Sequence, residues 1–158
     1  MVEDEEHNKV FGYIVGSADT RTYERYAAEH WWPFLATDYP PDFATKTGDT
    51  QYAEPRRRMP IAPDVNISLP PAHLYINILP DYQKKGWGMK LVATAIEFLH
   101  DKGLPGVWLG LDPENEGKKF YERIGFKVVD GSVDANEMWL RFEKHHTMES
   151  CSDSYFNT

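Results

Sequence analysis

The chain has 158 residues, of which 41% are hydrophobic and 14% aromatic, and its formal net charge is −8 at pH 7. This length and apolar content are enough for one domain with a core, so they exclude a chain that is disordered throughout. The acidic balance argues against general nucleic-acid binding, and no run of the sequence is apolar enough to span a membrane.

The single cysteine, Cys151, cannot form an intramolecular disulfide and lies in a polar segment. This favours a reducing compartment. The acidic start of the chain, residues 1–6, is unlike a signal peptide, whose first residues are basic. We therefore expect a cytoplasmic location, with the nucleus as the alternative.

The N-terminal region is expected to hold a strand and a helix. Residues 1–9 are charged and should be frayed, and residues 10–16 predict a strand. Asp19 can cap a helix that starts near Thr20, and Pro33 should bend or interrupt it. Side chains at helical spacing predict a core-facing stripe made of Tyr23, Tyr26, Ala27, His30, Trp31 and Phe34. For His30 this means a packed histidine beside two tryptophans.

Residues 39–71 hold seven of the eleven prolines and show no sustained period. This composition predicts a long ordered loop or lid, and loops of this kind often border a substrate pocket. Residues 145–158 are polar, and we expect them to form a disordered tail.

Residues 72–88 are expected to form a strand, a tight turn and the start of a helix. In residues 73–79 apolar side chains alternate with a mixed set, which predicts a strand with one face toward the core. Pro80 should end this strand because it has no N–H to donate. Gly86 and Gly88 then stand at the mouth of a helix, where unpaired N–H groups and the helix dipole suit a phosphate.

The remaining segments complete an alternating pattern. Gly103 is expected to end the helix, residues 106–111 predict a strand, and a second helix should end at Gly125. Residues 126–129 and 137–142 predict the last strands. The order strand–helix–strand–helix–strand–strand indicates an α/β domain with a mixed sheet flanked by helices.

Two of these segments resemble the signatures of one enzyme family. Residues 80–88, Pro-Asp-Tyr-Gln-Lys-Lys-Gly-Trp-Gly, resemble the acetyl-CoA motif Q/R-x-x-G-x-G/A of GCN5-related N-acetyltransferases (GNAT). Residues 120–126, Phe-Tyr-Glu-Arg-Ile-Gly-Phe, resemble the family's F-Y-x-x-x-G-F signature. The opening segment, with Gly-Tyr-Ile-Val-Gly at 12–16 and Trp-Trp-Pro at 31–33, is similar to a subgroup related to the acetyltransferase-like domain of O-GlcNAcases.

The resemblance implies a single GNAT-like (acyl-CoA N-acyltransferase) domain. The domain would cover residues 1–144, with an N-terminal region at 10–71 and an acetyl-CoA-binding core at 72–142. Residues 145–158 would form a tail. Family members usually carry a strand, two helices and another strand before the segment that begins here near Val10, so we expect these elements to be shortened. Part of the acceptor site normally lies there. Three explanations of the shortened region stay open. The chain could be a truncated gene product, residues 20–71 could replace the missing wall of the acceptor site, or a partner chain could supply that wall.

The resemblance also implies direct transfer of the acetyl group of acetyl-CoA, the co-substrate, to an amine of a small molecule or protein. The sheet is expected to open between residues 73–79 and 106–111 and hold the pantetheine arm. A backbone N–H near Leu79 would polarise the thioester carbonyl, and Tyr121 would act as general acid toward the leaving thiolate. The residues implied in acetyl-CoA binding are Ile78, Leu79, Gln83, Lys84, Lys85, Gly86, Trp87, Gly88, Asn115, Lys118 and Tyr121.

The general base that an acceptor amine requires stays open. The candidates are His73, Tyr75, Asp112 and Glu114, or a water chain that reaches one of them. Asp112 is taken as the second catalytic candidate beside Tyr121, and no metal is expected. The family's usual asparagine corresponds here to Glu114, with Asn115 one position late, which could alter a cofactor contact or shift a helix cap.

Two functions stay open at this point. One is an active N-acetyltransferase, and the other is a catalytically inactive pseudo-acetyltransferase that serves as a binding or interaction module. Gln83, Gly86, Gly88 and Tyr121 favour the enzyme, whereas the shortened N-terminal region favours the module. The expected partners are acetyl-CoA and an unidentified amine acceptor, without nucleic acid or a membrane, and exposed sheet edges could pair two copies into a homodimer.

Overall fold

The computed structural model describes residues 1–4, 9–40, 61–68, 70–111, 117–131 and 136–142. The chain divides into two compact units, one made of Met1–Ala18 with Asp64–Thr158 and the other of Asp19–Pro63. The predicted tail at 145–158 lies outside the described residues. The single domain over 1–144 stays a prediction.

The strands of the first unit form one mixed sheet. Their bounds are β1 Val2–Asp4, β2 Lys9–Ser17, β3 Ala72–Ile78, β4 Gly106–Gly110, β5 Lys127–Val128 and β6 Glu137–Arg141. Their order across the described sheet is β1-β2-β3-β4-β6-β5. The pairing of β3 with β4 is parallel and the other pairings are antiparallel. This sheet, flanked by helices, confirms the predicted α/β class.

Two of the described helices end at the glycines that the sequence predicts. The described helices are α1 Thr20–His30, α2 Trp32–Asp38, α3 Asp64–Ile67, α4 Trp87–Asp101 and α5 Lys118–Arg123, with a 3-10 turn at Pro80–Tyr82. Just after α4 and α5, Gly103 and Gly125 have φ values of +75° and +95°. Glycine ends a helix in this left-handed conformation without the steric cost of a Cβ atom, as predicted.

Strand β3 separates a buried face of the sheet from an open face. Leu74 is 5% exposed and packs in the core with Val92 of α4 and Val107 of β4. Tyr75 and Asn77 lie on the opposite face and are exposed. The alternation predicted for β3 is therefore confirmed, and α4 covers the buried face. Burial of each large apolar side chain in this layer contributes about 1.5–3 kcal/mol.

The second unit begins at the predicted helix cap. The carboxylate of Asp19 accepts the N–H of Thr22 at 2.7 Å, and this hydrogen bond lowers the pKa of Asp19. Helix α1 ends at His30 with Trp31 as its C-cap, and a new helix, α2, begins at Trp32 with Pro33 in its first turn. Pro33 therefore interrupts the helix, because its ring fits a first turn but not a helix interior.

The aromatic stripe predicted to face the core on α1 and α2 is mostly exposed, so that prediction is wrong. The exposed fractions are 42% for Tyr23, 63% for Tyr26, 56% for Trp31 and 70% for Phe34. His30, expected to pack beside tryptophans, is exposed and stacks on Tyr26 with ring centroids 4.3 Å apart.

Ala27 is the one member of the predicted stripe that is buried, at 1% exposed, and it shares the buried side of α1 with Thr20 and Glu24. Glu24 can be buried because both of its carboxylate oxygens are paired. One lies 2.6 Å from Nη1 of Arg21, and the other accepts the N–H of Ala62 at 2.6 Å. The buried side of α1 thus includes a paired carboxylate, whereas the sequence pattern predicted aromatic rings there.

Two further segments differ from expectation. Val2–Asp4, predicted to be frayed, pairs with β2 as an edge strand. Within the predicted long loop at 39–71, the described residues include the short helix Asp64–Ile67. Residues 41–60 and 69 of that loop lie outside the described residues.

Candidate functional site

The sheet opens between β3 and β4. The two strands pair at Ala72 with Val107 and at His73 with Trp108, and this pairing does not continue to the ends of the strands at Ile78 and Gly110. A cavity of about 300 Å³ lies in the gap and is called the interstrand cleft below. Its lining includes Tyr75, Ile76, Asn77, Leu109, Gly110 and Tyr121. The predicted opening of the sheet is therefore present.

The register of β3 decides which backbone groups face this cleft. The N–H of Leu79 donates to the carbonyl of Phe11 at 2.8 Å and so belongs to the β2 side. Backbone groups of successive residues in a strand point to alternate neighbours. The N–H groups of Ile76 and Ile78 therefore lie on the β4 side, along the cleft. The N–H of Leu79 itself is engaged, so the donor predicted near Leu79 would have to be one of these.

The loop between β3 and α4 follows the end of β3 at which the sheet is open. The side chain of Gln83 donates from Nε2 to the carbonyl of Ile78 at 2.9 Å, which ties the loop back to the strand. Lys84 and Gly86 have positive φ values of 58° and 82°. Helix α4 then begins at Trp87 with its first N–H groups at the loop, where a helix of this length attracts an anion.

Aromatic contacts hold this loop against β2. The ring of Phe11 stacks on Tyr82 with centroids 4.2 Å apart and planes at 9°, and it meets the edge of Trp87 at 5.1 Å. Lys85 Nζ lies 5.4 Å from the centroid of Tyr82, and Lys90 Nζ lies 4.6 Å from that of Trp87. Sequence reasoning missed Phe11, since nothing local links a residue of β2 to a loop that follows β3.

Tyr121 lines the cleft from helix α5. It is 6% exposed and packs edge-on against Phe120 and Phe126, with ring centroids 5.1 and 5.4 Å away. Burial raises the pKa of Tyr121 to about 12, and the nearby Tyr75 adds to this shift. Tyr121 therefore stays protonated at neutral pH and can donate its O–H into the cleft.

The other sequence-derived candidates are placed differently. Tyr75 lines the same cleft as Tyr121. The ring of His73 lies 5.8 Å from that of Trp108, where β3 and β4 are paired, and His73 borders a separate apolar cavity of about 280 Å³. Lys118 begins α5. Asp112, Glu114 and Asn115 lie outside the described residues.

Two further features are absent from the described part of the chain. No helix there is both long and apolar enough to cross a membrane. No cluster of three His, Cys, Asp or Glu side chains there is arranged to hold a metal ion.

The comparison with known families agrees with this geometry. The model of an acetyltransferase (GNAT) domain matches residues 60–128, which span β3, the glycine-containing loop, α4, β4 and α5. Residues 60–128 are therefore similar to a GNAT acetyltransferase domain. Acetyl-CoA is the co-substrate of GNAT acetyltransferases.

The similarity of the chain to curated enzymes is local. It is 42% identical over 55 residues to a [ribosomal protein bS18]-alanine N-acetyltransferase of Haemophilus influenzae, over 35% of this chain and 38% of that one. It is 36% identical over 59 residues to a mycothiol acetyltransferase of Nocardiopsis dassonvillei, over 37% of this chain and 18% of that one. The match thus spans less than half of either relative.

A solved structure is similar over more of the chain. The crystal structure of SsHAT is 29% identical in sequence and superposes with a TM-score of 0.67, over 88% of this chain and 69% of that one. This confirms the GNAT-like mixed sheet.

Proposed function

We propose that the chain is an N-acetyltransferase that moves the acetyl group of acetyl-CoA directly to an amine of a small molecule or protein. The observation that carries the proposal is the interstrand cleft with Tyr121 in its wall. A cleft between parallel strands, with an anion-binding loop at one end and a protonated tyrosine within it, suits a long phosphate-bearing thioester.

The residues of the loop fit the phosphate end of acetyl-CoA. Backbone N–H groups from Gln83 to Gly88 and the first turn of α4 would hold the pyrophosphate. Lys84 and Lys85 are exposed there and add positive charge. A Cβ atom at Gly86 would meet nothing within 4 Å, so the loop leaves open space on this side for a ligand.

The cleft itself fits the pantetheine arm and the thioester. The N–H of Ile78 or Ile76 would donate to the thioester carbonyl oxygen and stabilise the charge that develops on it. This role falls to the side of β3 that faces β4, because β2 occupies the other side.

Tyr121 would complete the proton balance of the reaction. The acceptor nitrogen bonds to the acetyl carbon as the carbon–sulfur bond breaks, and the amine proton leaves to a base. Tyr121 donates its O–H proton to the sulfur and recovers a proton afterwards. The base is one of His73, Tyr75, Asp112 and Glu114, or a water held by one of them. Of these, Tyr75 lines the cleft.

Calorimetric titration with acetyl-CoA, followed by an amine screen for thiol release, tests the proposal. Free acetyl-CoA at a concentration of about 100 times its Kd should raise the free energy of unfolding by roughly 2.7 kcal/mol. A thermal shift would detect this increase. A folded protein that does not bind acetyl-CoA would point to the pseudo-acetyltransferase module instead.

Two predictions from the sequence extend this proposal. One is a cytoplasmic location, with the nucleus as the alternative. The other is a homodimer formed by pairing of sheet edges. Light scattering on the eluting protein would check the second.

A further inference from the structure

Gly110 is a strand glycine that the packing around it does not require. Strand glycines often mark a place where another backbone or a ligand approaches closely. At Gly16 and Gly106 a Cβ atom would collide with a backbone carbonyl oxygen, that of His73 and that of Leu140 respectively. At Gly110 a Cβ atom would meet no atom of the described residues within 4 Å, and the φ of Gly110 is not positive. Packing within the described chain therefore does not explain this glycine, whereas the approach of a ligand would.

The space over Gly110 lies on the open face of the sheet, at the interstrand cleft. Leu109 is 2% exposed and packs in the core, so a side chain at position 110 would point the opposite way. Gly110 lines the cleft on the side of β3, and it pairs with Glu137 on the side of β6. A ligand over Gly110 therefore reaches the cleft from solvent and not through the core.

Tyr75 faces Gly110 across the cleft. Each lies two residues beyond His73 and Trp108, which form the last pair of the parallel register, and both line the cleft. Tyr75 is 54% exposed, and its side chain stands on the open face of the sheet. The cleft thus has a large ring on its β3 wall and no side chain on its β4 wall at this level. This asymmetry leaves room beside β4 and not beside β3.

The proposed reaction brings the acceptor nitrogen to this level of the cleft. The nitrogen must come within about 3–3.5 Å of the acetyl carbon before it attacks. The groups on the carbon attached to that nitrogen then lie toward the open face. Tyr75 restricts them on one side, and the bare backbone of Gly110 leaves space for them on the other. A side chain at position 110 would occupy that space.

We propose that Gly110 determines the acceptor specificity and that the space over it holds a branch on the carbon attached to the amine nitrogen. The acceptor class is then an α-branched primary amine, either a small molecule or the N-terminal residue of a polypeptide. An unbranched amine, such as the ε-amine of a lysine side chain, would leave the space empty. This inference rests on the proposed acetyl transfer and adds the substrate class to it.

A pair of amines that differ by one methyl group tests this inference. 1-Phenylethylamine carries a methyl group on the carbon attached to nitrogen, and benzylamine does not. The wild type should have the higher kcat/KM for 1-phenylethylamine. In Gly110→Val the ratio of the two kcat/KM values should fall by roughly 10- to 200-fold, as expected for the fit of about one methylene group. The ratio cancels any effect of the variant on acetyl-CoA binding, because both reactions use acetyl-CoA.

A second pair of acceptors distinguishes a small molecule from a polypeptide. Two peptides that begin with alanine and with glycine also differ by one methyl group on the carbon attached to the reacting nitrogen. If the acceptor is a polypeptide, the preference for the branched member should be larger for the peptides than for the two small amines. The reverse order would identify a small-molecule acceptor.

Lys127→Val is the matched control for Gly110→Val. It introduces the same side chain at an exposed strand position opposite Trp139, and β5 lies two strands away from β4 in the sheet. Its ratio for each acceptor pair should equal that of the wild type. Gly110→Ala keeps the inference testable if the valine variant does not fold, because alanine adds one methyl group to open space. Its ratio should move in the same direction by a smaller factor.

The outcomes separate the inference from the proposed function. If the wild type binds acetyl-CoA but prefers the unbranched member of both pairs, or acetylates none of the four acceptors, the branched acceptor class is overturned. Equal ratios in the wild type and in the Gly110 variants would remove Gly110 from acceptor specificity. If the wild type does not bind acetyl-CoA at all, the proposed function falls first and the inference falls with it.

Discussion

Gly88 packs against the ring of Phe120, since a Cβ atom at position 88 would lie 3.2 Å from Cζ of Phe120. Gly88 lies in the first turn of α4 and belongs to the first signature, and Phe120 belongs to the second signature on α5. The two motifs that carry the family resemblance therefore meet in space. Their contact places the first turn of α4 beside the helix that presents Tyr121.

This contact predicts that Gly88→Val lowers the free energy of unfolding by about 1–3 kcal/mol, because the added side chain overpacks the site. Phe120→Leu should remove part of that penalty when the two changes are combined. Urea unfolding of the two single variants and the double variant measures the coupling. Purely additive effects would show that the side chains do not meet.

We expect Gly86→Val to abolish acetyl-CoA binding. Position 86 has a φ of +82°, which a β-branched residue rarely adopts, and the new side chain would enter the space left for the pyrophosphate. Gly103→Val is the matched control, since Gly103 has a φ of +75° and open space but lies at the other end of α4. Titration calorimetry should show lost affinity in the first variant and unchanged affinity in the second. Unchanged affinity in both would remove the loop from the phosphate site.

Replacement of Tyr121 by Phe should lower kcat more than it weakens acetyl-CoA binding. A positioned general acid typically contributes about 10²–10⁴-fold to the rate, whereas the ring contacts with Phe120 and Phe126 survive the change. Tyr26→Phe removes an exposed hydroxyl on α1 and serves as the control. Steady-state kinetics with calorimetry separate the two effects, and equal turnover in wild type and Tyr121→Phe would exclude the general-acid role.

The raised pKa of Tyr121 predicts a loss of stability at high pH. Its pKa of about 12 in the folded protein exceeds the ordinary value of 10.0, so between these values the unfolded chain loses a proton that the folded protein keeps. The contribution is therefore fully present below pH 10 and is lost as the pH rises toward 12, by roughly 2.7 kcal/mol at most. Tyr121→Phe lacks this contribution, so its free energy of unfolding relative to the wild type should rise over that range. Denaturant curves at several pH values test this, and a constant difference would contradict a buried Tyr121.

Local sequence features determined the elements around the cleft. The alternation in β3, the stop at Pro80, the loop with Gly86 and Gly88, and the helix end at Gly103 all follow from rules that act within a few residues. Side-chain period and φ preference are properties of the local chain, so they can be recognised without a partner. The opening between β3 and β4 was predicted from the family resemblance and not from such local rules.

The tertiary structure decided which of these groups face one another. The register between β2 and β3 assigns the N–H of Leu79 to Phe11 and leaves that of Ile78 on the cleft side, and the pairing of β4 with β6 brings Glu137 opposite Gly110. On α1, the pairing of Glu24 with Ala62 buries a carboxylate while the neighbouring tyrosines stay exposed. These outcomes depend on contacts between residues far apart in the chain, and no local period of the sequence encodes such contacts.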